Sequence, residues 1–467
     1  MAAPIRDFPA PMPDLPLHPL RSSDPLIVYI DFKSPYAYLA IAPTLALGAQ
    51  LGITIDWRPF ELDIPSYLGS AKLDKGGKVV ASNRSASQWS GVKYAYFDCR
   101  RYANLSGLTI RGTEKIWDTQ LPAIGLLWVR QQGDAALLER YLNAVLQPFW
   151  RRELDVEDAG VIKAVLADVG ANVEGFDDFV KGDGKRANDE LQAAAFAAGV
   201  FGVPSYVVDE EIFFGREHLP LIRSRLRSSM RVVDAAYELP PRAQLPTLAD
   251  GAGKDLVVAI DFASPQSLMA IQPTLAFAAA HDLNLLWLPA SGGELKPPIA
   301  AGPNDDRGVI HRRLRAQSRA NCLALYAQLN LAKPLPDLYA QTDTEVARAG
   351  LLFANKVVSA AAAEPDSAID HNNVNKYVEA VYERFWLDGE SIAALYDIEP
   401  LLSSCGISGF AEFWHDHAKQ SLAENEQELA DRGFISAPTY FFAGEPYQGR
   451  EHLPLLNALQ GAQQQLD

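Results

Sequence analysis

Two serines stand where an apolar run gives way to a helix-like pattern. They are Ser34, in Asp31-Phe-Lys-Ser-Pro35, and Ser264, in Asp261-Phe-Ala-Ser-Pro265. Ser-Pro is a good helix start: the hydroxyl accepts from a free backbone N–H, and proline at the first helical position loses no bond. That helix end also carries free N–H groups and partial positive charge, which suits an anion such as a thiolate. Capping and anion binding both fit these serines. Val203-Pro204 and Ala437-Pro438 each precede a short apolar run. X-Pro bonds can be cis, and the recurrence predicts cis bonds at both places, turning the backbone groups of Val203 and Ala437 outward. Glu217 and Glu451 follow Gly-Arg near a predicted helix start. A carboxylate there complements the helix dipole or holds a substrate ammonium. His218, beside Glu217, reads as packed rather than catalytic.

Other chemistry is poorly supported. Cys99, Cys322 and Cys405 are the three cysteines among 467 residues, and none forms a Cys-x-x-Cys pair. This argues against a disulfide scaffold, a thiol redox motif and a cysteine-rich zinc site. Cys99 and Cys322 fall at nearly equivalent places and read as buried structural thiols. His415 and His417 are spaced i, i+2, which faces opposite ways on a helix, so no metal site is expected. No phosphate-binding loop, dinucleotide fingerprint or Gly-x-Ser-x-Gly elbow is present. Arg312, Arg315 and Arg319 share a helix face and read as a solvated one. The net charge of −16 argues against a nucleic-acid partner. No run of about 18 apolar residues suggests a membrane span. The first 25 residues hold seven prolines, too many for a secretory helix, so a cytoplasmic location is the default expectation.

These candidates occur twice because the chain is a tandem repeat. Val28 to Pro35 matches Val258 to Pro265 at an offset of 230, and the register holds through Pro43-Thr-Leu-Ala46, Trp57 and Pro59. Gly215-Arg-Glu-His-Leu-Pro-Leu221 is identical to Gly449–Leu455 at an offset of 234. Collinear matches at both ends of each half define the repeat. The predicted organisation is a Pro-rich arm (1–24), a first unit (25–230), a Pro- and Gly-containing linker (231–253) and a more divergent second unit (254–467). The arm reads either as a disordered tail or as a strap on a neighbouring surface.

Within one unit, Leu26–Phe32 reads as a strand, 35–51 as a helix containing Pro43, and Ile53–Pro59 as a parallel strand. Residues 62–200 read mainly as helices. Tyr206–Asp209 and Ile212–Phe214 read as a hairpin, and a last helix opens at Gly215-Arg216-Glu217. The fold class is α/β: a β-α-β half and a β-β-α half in the thioredoxin-like plan, separated by a helical insertion. In that plan the Ser34 turn is the reactive corner. Ser34 takes the place of the first redox cysteine and Ala37 that of the second, so disulfide exchange is not expected.

Asp31-Phe-Lys-Ser34-Pro35-Tyr36-Ala-Tyr38-Leu39-Ala40, with Gly199-Val-Phe-Gly-Val-Pro204 and Phe214-Gly215-Arg216-Glu217, resembles the family of 2-hydroxychromene-2-carboxylate isomerases. It also resembles kappa-class glutathione transferases and the DsbA-like thioredoxin fold. The resemblance implies bound glutathione, with Ser34 stabilising its thiolate and Val203, beside Pro204, pairing with its backbone. Glu217 and the adjacent helix start, beside Arg216, would hold its γ-glutamyl end. It implies a glutathione-dependent isomerase acting on an aromatic or enone-type small molecule by reversible thiolate addition. Tyr36, Trp117 and Trp150 are candidates for a substrate wall. The alternatives are a kappa-like transferase and a non-catalytic binding scaffold on a redox-dead frame. The family pattern has aspartate where Glu217 stands and a small polar residue where Arg216 stands. In the second unit Tyr36, Tyr38 and Arg58 become Gln266, Leu268 and Leu288, so Ser264, Ala437, Pro438 and Glu451 read as a degenerate site. That unit is expected to replace the partner subunit of the usual homodimer.

Overall fold

The computed structural model describes residues 17–73, 79–227, 234–249, 252–361 and 369–463. Most of the predicted arm, including five of its six prolines, lies outside the described residues. The chain divides into two compact units, residues 1–89 with 95–216, and 90–94 with 217–467.

The first unit begins with β1 (Leu26–Ile30), whose five apolar residues are all buried. Ser34 caps α1 (Pro35–Leu51), and Gly52, at φ 66°, ends it in the left-handed conformation glycine adopts without strain. Helix α1 continues through Pro43. β2 (Ile55–Pro59) pairs parallel to β1, as a right-handed crossover requires. Then come α2 (Ile64–Leu68), β3 (Ala71–Leu73), β4 (Val79–Ser82), α3 (Ala86–Leu105), α4 (Gln120–Gln131), α5 (Ala135–Trp150), α6 (Ala159–Asp168), α7 (Phe176–Lys181) and α8 (Asp183–Ala197). β5 (Ser205–Val208) and β6 (Glu211–Phe214) close the sheet in the order β2-β1-β5-β6. Their turn places Asp209 and Glu210 at positive φ, the geometry of a tight hairpin.

Two expectations change. The segment predicted as mainly helical contains the antiparallel pair β3 and β4. All four β4 residues are exposed, so no inward-outward alternation marks it in the sequence. The last helix does not open at Gly215. Arg216–His218 form a 3-10 turn, and α9 (Leu219–Leu226) follows. Pro220 explains this: in an α-helix already under way at residue 216, its ring would meet the Arg216 carbonyl. Glu217 therefore sits in the 3-10 turn, not in the first turn of an α-helix.

The second unit repeats the plan. It contains β7 (Asp255–Ile260), α10 (Pro265–Ala280), β8 (Asn284–Pro289), α11 (Arg307–Asn330), α12 (Glu345–Ala361), α13 (His371–Tyr382), α14 (Leu395–Ser404), α15 (Phe410–Asp416), α16 (Ala418–Asp431), β9 (Thr439–Phe442), β10 (Glu445–Gln448) and α17 (Leu453–Gln463). Its sheet order is β10-β9-β7-β8, with β7 and β8 parallel. No helix among the described residues is long and apolar enough to cross a membrane.

Candidate active site at the Ser34 corner

Helix α1 starts from a tightly held loop. The Ser34 N–H donates to the Asp31 carbonyl at 3.0 Å, and the buried Ser34 Oγ accepts from Ala37 N at 3.2 Å. Among the described residues, nothing accepts the Ser34 hydroxyl proton. The start of a 17-residue helix thus sets the positive end of its dipole and an unspent hydroxyl at one point. Both Val203-Pro204 and Ala437-Pro438 are cis. The register of β1 on β5 pairs Tyr29 with Ser205. Two places further along, Val203 falls opposite Asp31, at the foot of the Ser34 loop. No hydrogen bond among the described residues takes the Val203 N–H or C=O. An open donor and acceptor beside an unspent hydroxyl fit a peptide-like thiol such as glutathione.

Beneath the loop is a buried polar cluster. Asp31 pairs with Lys33 Nζ at 3.1 Å and accepts from Thr119 Oγ1 at 2.6 Å and Leu62 N at 2.7 Å. Lys33 Nζ also donates to Thr119 Oγ1 at 3.0 Å. All three side chains are buried. Lys33, immediately before Ser34, sets a fixed cation at the foot of the corner. Next to this cluster, burial pushes the Glu61 carboxyl up, against an opposing hydrogen bond from Asn188. Sequence reasoning missed Lys33, Asp31 and Thr119 as site residues. The replacement of Lys33 by Ala263 between the copies was the available signal.

The aromatic candidates separate. Half-buried Tyr36 hydrogen-bonds the Cys99 thiol, which burial pushes well above its ordinary value, so Cys99 is a poor nucleophile. Trp150 is fully buried, stacked on Tyr38 with ring centroids 6.5 Å apart and planes nearly parallel. Burial raises the Tyr38 phenol to about 12, so Tyr38 stays neutral. Trp117 meets Phe149 edge-on at 5.8 Å, under the Lys115 ammonium at 4.3 Å. Trp117 and Phe149 line a cleft of about 270 Å³.

Arg216 is buried with its guanidinium over the Tyr102 ring, 4.3 Å from the centroid. Asp98, on the same helix as Tyr102, is buried, and its carboxyl is raised to about 6 by burial against the pull of Arg101 and Arg216. Glu217 falls within the second compact unit. Its carbonyl accepts from Ala236 N at 3.0 Å, and its carboxylate lies 4.0 Å from His218 Nε2. His218 is packed on Tyr326, with Nδ1 2.9 Å from the phenol oxygen.

In the second corner, Ser264 Oγ accepts from Ser267 N at 3.3 Å, and the Gln266 amide lies 3.2 Å away. With that amide turned so its oxygen meets the Arg319 guanidinium, its NH2 group donates to Ser264. In that orientation Ser264 Oγ accepts from two donors; in the other its hydroxyl donates to the Gln266 oxygen, so the Gln266 amide lies against Ser264 in both. Gly293 presses on the same corner: a Cβ there would lie 3.0 Å from Ser264 Cβ. Its N–H donates to Asp261 at 2.6 Å. Arg450 takes the place of Arg216 and lies over Tyr326, paired with Asp234 at 2.5 Å. Glu451 precedes His452 in the matching 3-10 turn, and its carbonyl accepts from Tyr237 N at 2.8 Å. Among the described residues no group of three or more His, Cys, Asp or Glu side chains is placed to hold a metal ion.

Residues 25–227 match the family model of the DsbA-like thioredoxin domain. A 2-hydroxychromene-2-carboxylate isomerase of Sphingobium xenophagum is 29% identical over 201 residues, covering 42% of this chain and 95% of that protein. One from Pseudomonas putida is 25% identical over 199 residues, covering 42% of this chain and 92% of that protein. A solved 2-hydroxychromene-2-carboxylate isomerase structure aligns at 22% identity and a TM-score of 0.35, covering 44% of this chain and 94% of that one. Residues 25–227 are thus a DsbA-like thioredoxin domain, similar in sequence to the 2-hydroxychromene-2-carboxylate isomerases.

Proposed function

We propose that the chain is a glutathione-dependent isomerase of a small aromatic or enone-type substrate, with its working site at the Ser34 corner. One observation carries this reading: among the described residues Ser34 Oγ meets only Ala37 N at a helix start, whereas the Gln266 amide lies against its counterpart Ser264. The similarity to isomerases nearly along their whole length supports it. Bound glutathione would supply a thiolate for reversible addition to an activated double bond. The chain's own part is to hold that sulfur. Ser34 donates its hydroxyl proton to it, and the positive end of the α1 dipole favours its anionic form. Val203 pairs through its backbone, and the Asp31–Lys33–Thr119 cluster fixes the loop. Tyr36 and Trp117 border the substrate, whereas Trp150, expected there too, is fully buried behind Tyr38. With serine at both corners, the chain brings no dithiol of its own, so disulfide exchange is not part of the proposal. As part of the same reading, the second unit stands in for a partner subunit, and the protein works in the cytoplasm.

The test is thermal denaturation with glutathione. A ligand at 100 times its dissociation constant adds about 2.7 kcal/mol to stability. A rise in melting temperature at millimolar glutathione, lost in Ser34→Ala and kept in Ser264→Ala, is the expected result. No rise in the unmodified protein overturns the reading.

A further inference from the structure

Arg312, Arg315 and Arg319 read from the sequence as a solvated helix face. The structure places them differently. The buried residues of α11 are Gly308, His311, Ala320, Leu323, Tyr326 and Ala327. Arg312 stands four residues after Gly308, Arg315 four after His311, and Arg319 four before Leu323. Residues four apart share a helix face. The arginines therefore lie on the inward face of α11, yet all three are exposed. A face that is buried towards both ends and open between them borders a recess. Arg319 reaches from it to the Ser264 corner: the Gln266 oxygen, turned towards Arg319, accepts from its NH2 nitrogen at 2.7 Å.

The charge of these three is not compensated. In the same unit Arg313, Arg348, Arg384 and Arg432 each pair with a carboxylate. Among the described residues none pairs with Arg312, Arg315 or Arg319. Desolvation first and the Arg315 charge second push the Arg319 guanidinium below its ordinary value, against the weaker pull of Glu451. Gln266 answers Arg319 with a neutral oxygen. Like charges this close repel, and an anion between them would remove that cost. The three stand one turn apart over about 10 Å of helix, and planar guanidinium forks match phosphate oxygens. A diphosphate concentrates several negative charges in one compact group, which suits three arginines better than a lone carboxylate does. The net charge of −16 opposes an extended polyanion or a membrane surface, which leaves a small ligand.

We infer that this face of α11 binds a diphosphate group, with Arg315 and Arg319 clamping one phosphate and Arg312 reaching the other. The site belongs to the second unit and does not rest on the isomerase reading.

The experiment is calorimetric titration of the full-length protein, without glutathione, using sodium pyrophosphate with sulfate as the control at the same ionic strength. Wild type binds pyrophosphate more tightly than sulfate. Arg315→Met and Arg319→Met each weaken pyrophosphate about tenfold, the worth of one charge-assisted contact. Arg315→Lys, which keeps the charge without the fork, falls between wild type and Arg315→Met. Because Arg315 is exposed, its replacement does not threaten folding, and circular dichroism verifies this. A parallel titration with ADP separates two sources of the group: tighter binding than pyrophosphate supports a nucleoside diphosphate, and equal or weaker binding supports free diphosphate. No pyrophosphate binding at millimolar concentration, equal affinity in wild type and Arg315→Met, or sulfate binding as tightly as pyrophosphate overturns the inference. None of these results touches the glutathione response, so this site and the isomerase reading fail separately.

Discussion

Ser34 and Ser264 cap equivalent helices behind the same Asp-Phe-x-Ser-Pro sequence, yet their surroundings differ in kind. At the first corner Asp31 is held by Lys33 and Thr119. At the second, Asp261 has only backbone donors, Ala263 N at 2.9 Å and Gly293 N at 2.6 Å, and burial pushes its carboxyl up. One strand away the contrast repeats. In β2, at the sheet's edge, Asp56 binds Arg58 at 2.6 Å and Arg130 of α4 at 2.8 Å. The matching β8 residues are Leu286 and Leu288, packed in an apolar cluster with Ala259, Ala437 and Phe441. The same frame therefore folds around leucines. Buried ion pairs are often replaceable by apolar packing without loss of stability, so the charges of the first unit are not demanded by the fold. One of the two groups, Asp31 with Lys33 and Thr119, adjoins the Ser34 loop; the other ties β2 to α4 and to the residues before β1.

The largest expected effect breaks this contrast at its centre. Ser34→Ala removes the hydroxyl proposed to meet the sulfur, and on that proposal glutathione-dependent turnover should fall about 10²- to 10³-fold, the usual cost of a lost preorganised donor. Ser264→Ala should leave turnover unchanged. Equal losses in both variants would mean that the second corner works too.

Next in size is the ion-pair cluster. Arg58→Leu leaves Asp56 with Arg130 and Ser22 in a buried site, and should cost about 3 kcal/mol in urea denaturation. Asp56→Leu with Arg58→Leu copies the second unit and should regain most of that loss. The pH response sharpens the test. The arginines hold the Asp56 carboxyl below its ordinary value, against the cost of burial. Its stabilising contribution is thus present above the ordinary aspartate range and lost as pH falls through the lowered value. The double variant should lack that acid-side decline. Arg58 also anchors residues before β1, donating to the carbonyls of His18 at 2.5 Å and Arg21 at 2.8 Å. A shortfall in the double variant's recovery measures that strap.

Much of this was legible in the sequence. The repeat, the strand-helix-strand start and the cis prolines showed as collinear motifs, because caps, prolines and apolar runs act locally. What stayed hidden was set by distant partners. Thr119 joins Asp31 across 88 residues, and no periodicity announces a buried polar contact. Arg216 read as part of a γ-glutamyl site, but its guanidinium lies over Tyr102, more than a hundred residues earlier, and is buried. Pro220 was visible, yet its consequence for Glu217 follows only once the helix boundary is known.

The smallest contrast is between two tryptophans. Trp386, in the turn after α13, donates its indole N–H to the Phe262 carbonyl at 2.8 Å. Trp150 occupies the corresponding place in the first unit, fully buried, and among the described residues nothing accepts its indole N–H. Replacing each by phenylalanine removes the same ring volume, so the cavity cost should be similar. The hydrogen-bond contributions differ. Trp386→Phe strands the Phe262 carbonyl, at about 1–3 kcal/mol for a buried unsatisfied group, whereas Trp150→Phe removes an N–H that was already unsatisfied. Trp386→Phe should therefore be the more destabilising by about 2 kcal/mol in chemical denaturation. Equal losses would mean that a buried water completes the Trp150 bond, and the two loops would then be held alike. A Trp150→Phe protein that keeps its stability but loses affinity for the substrate would instead tie that free indole donor to the Ser34 corner.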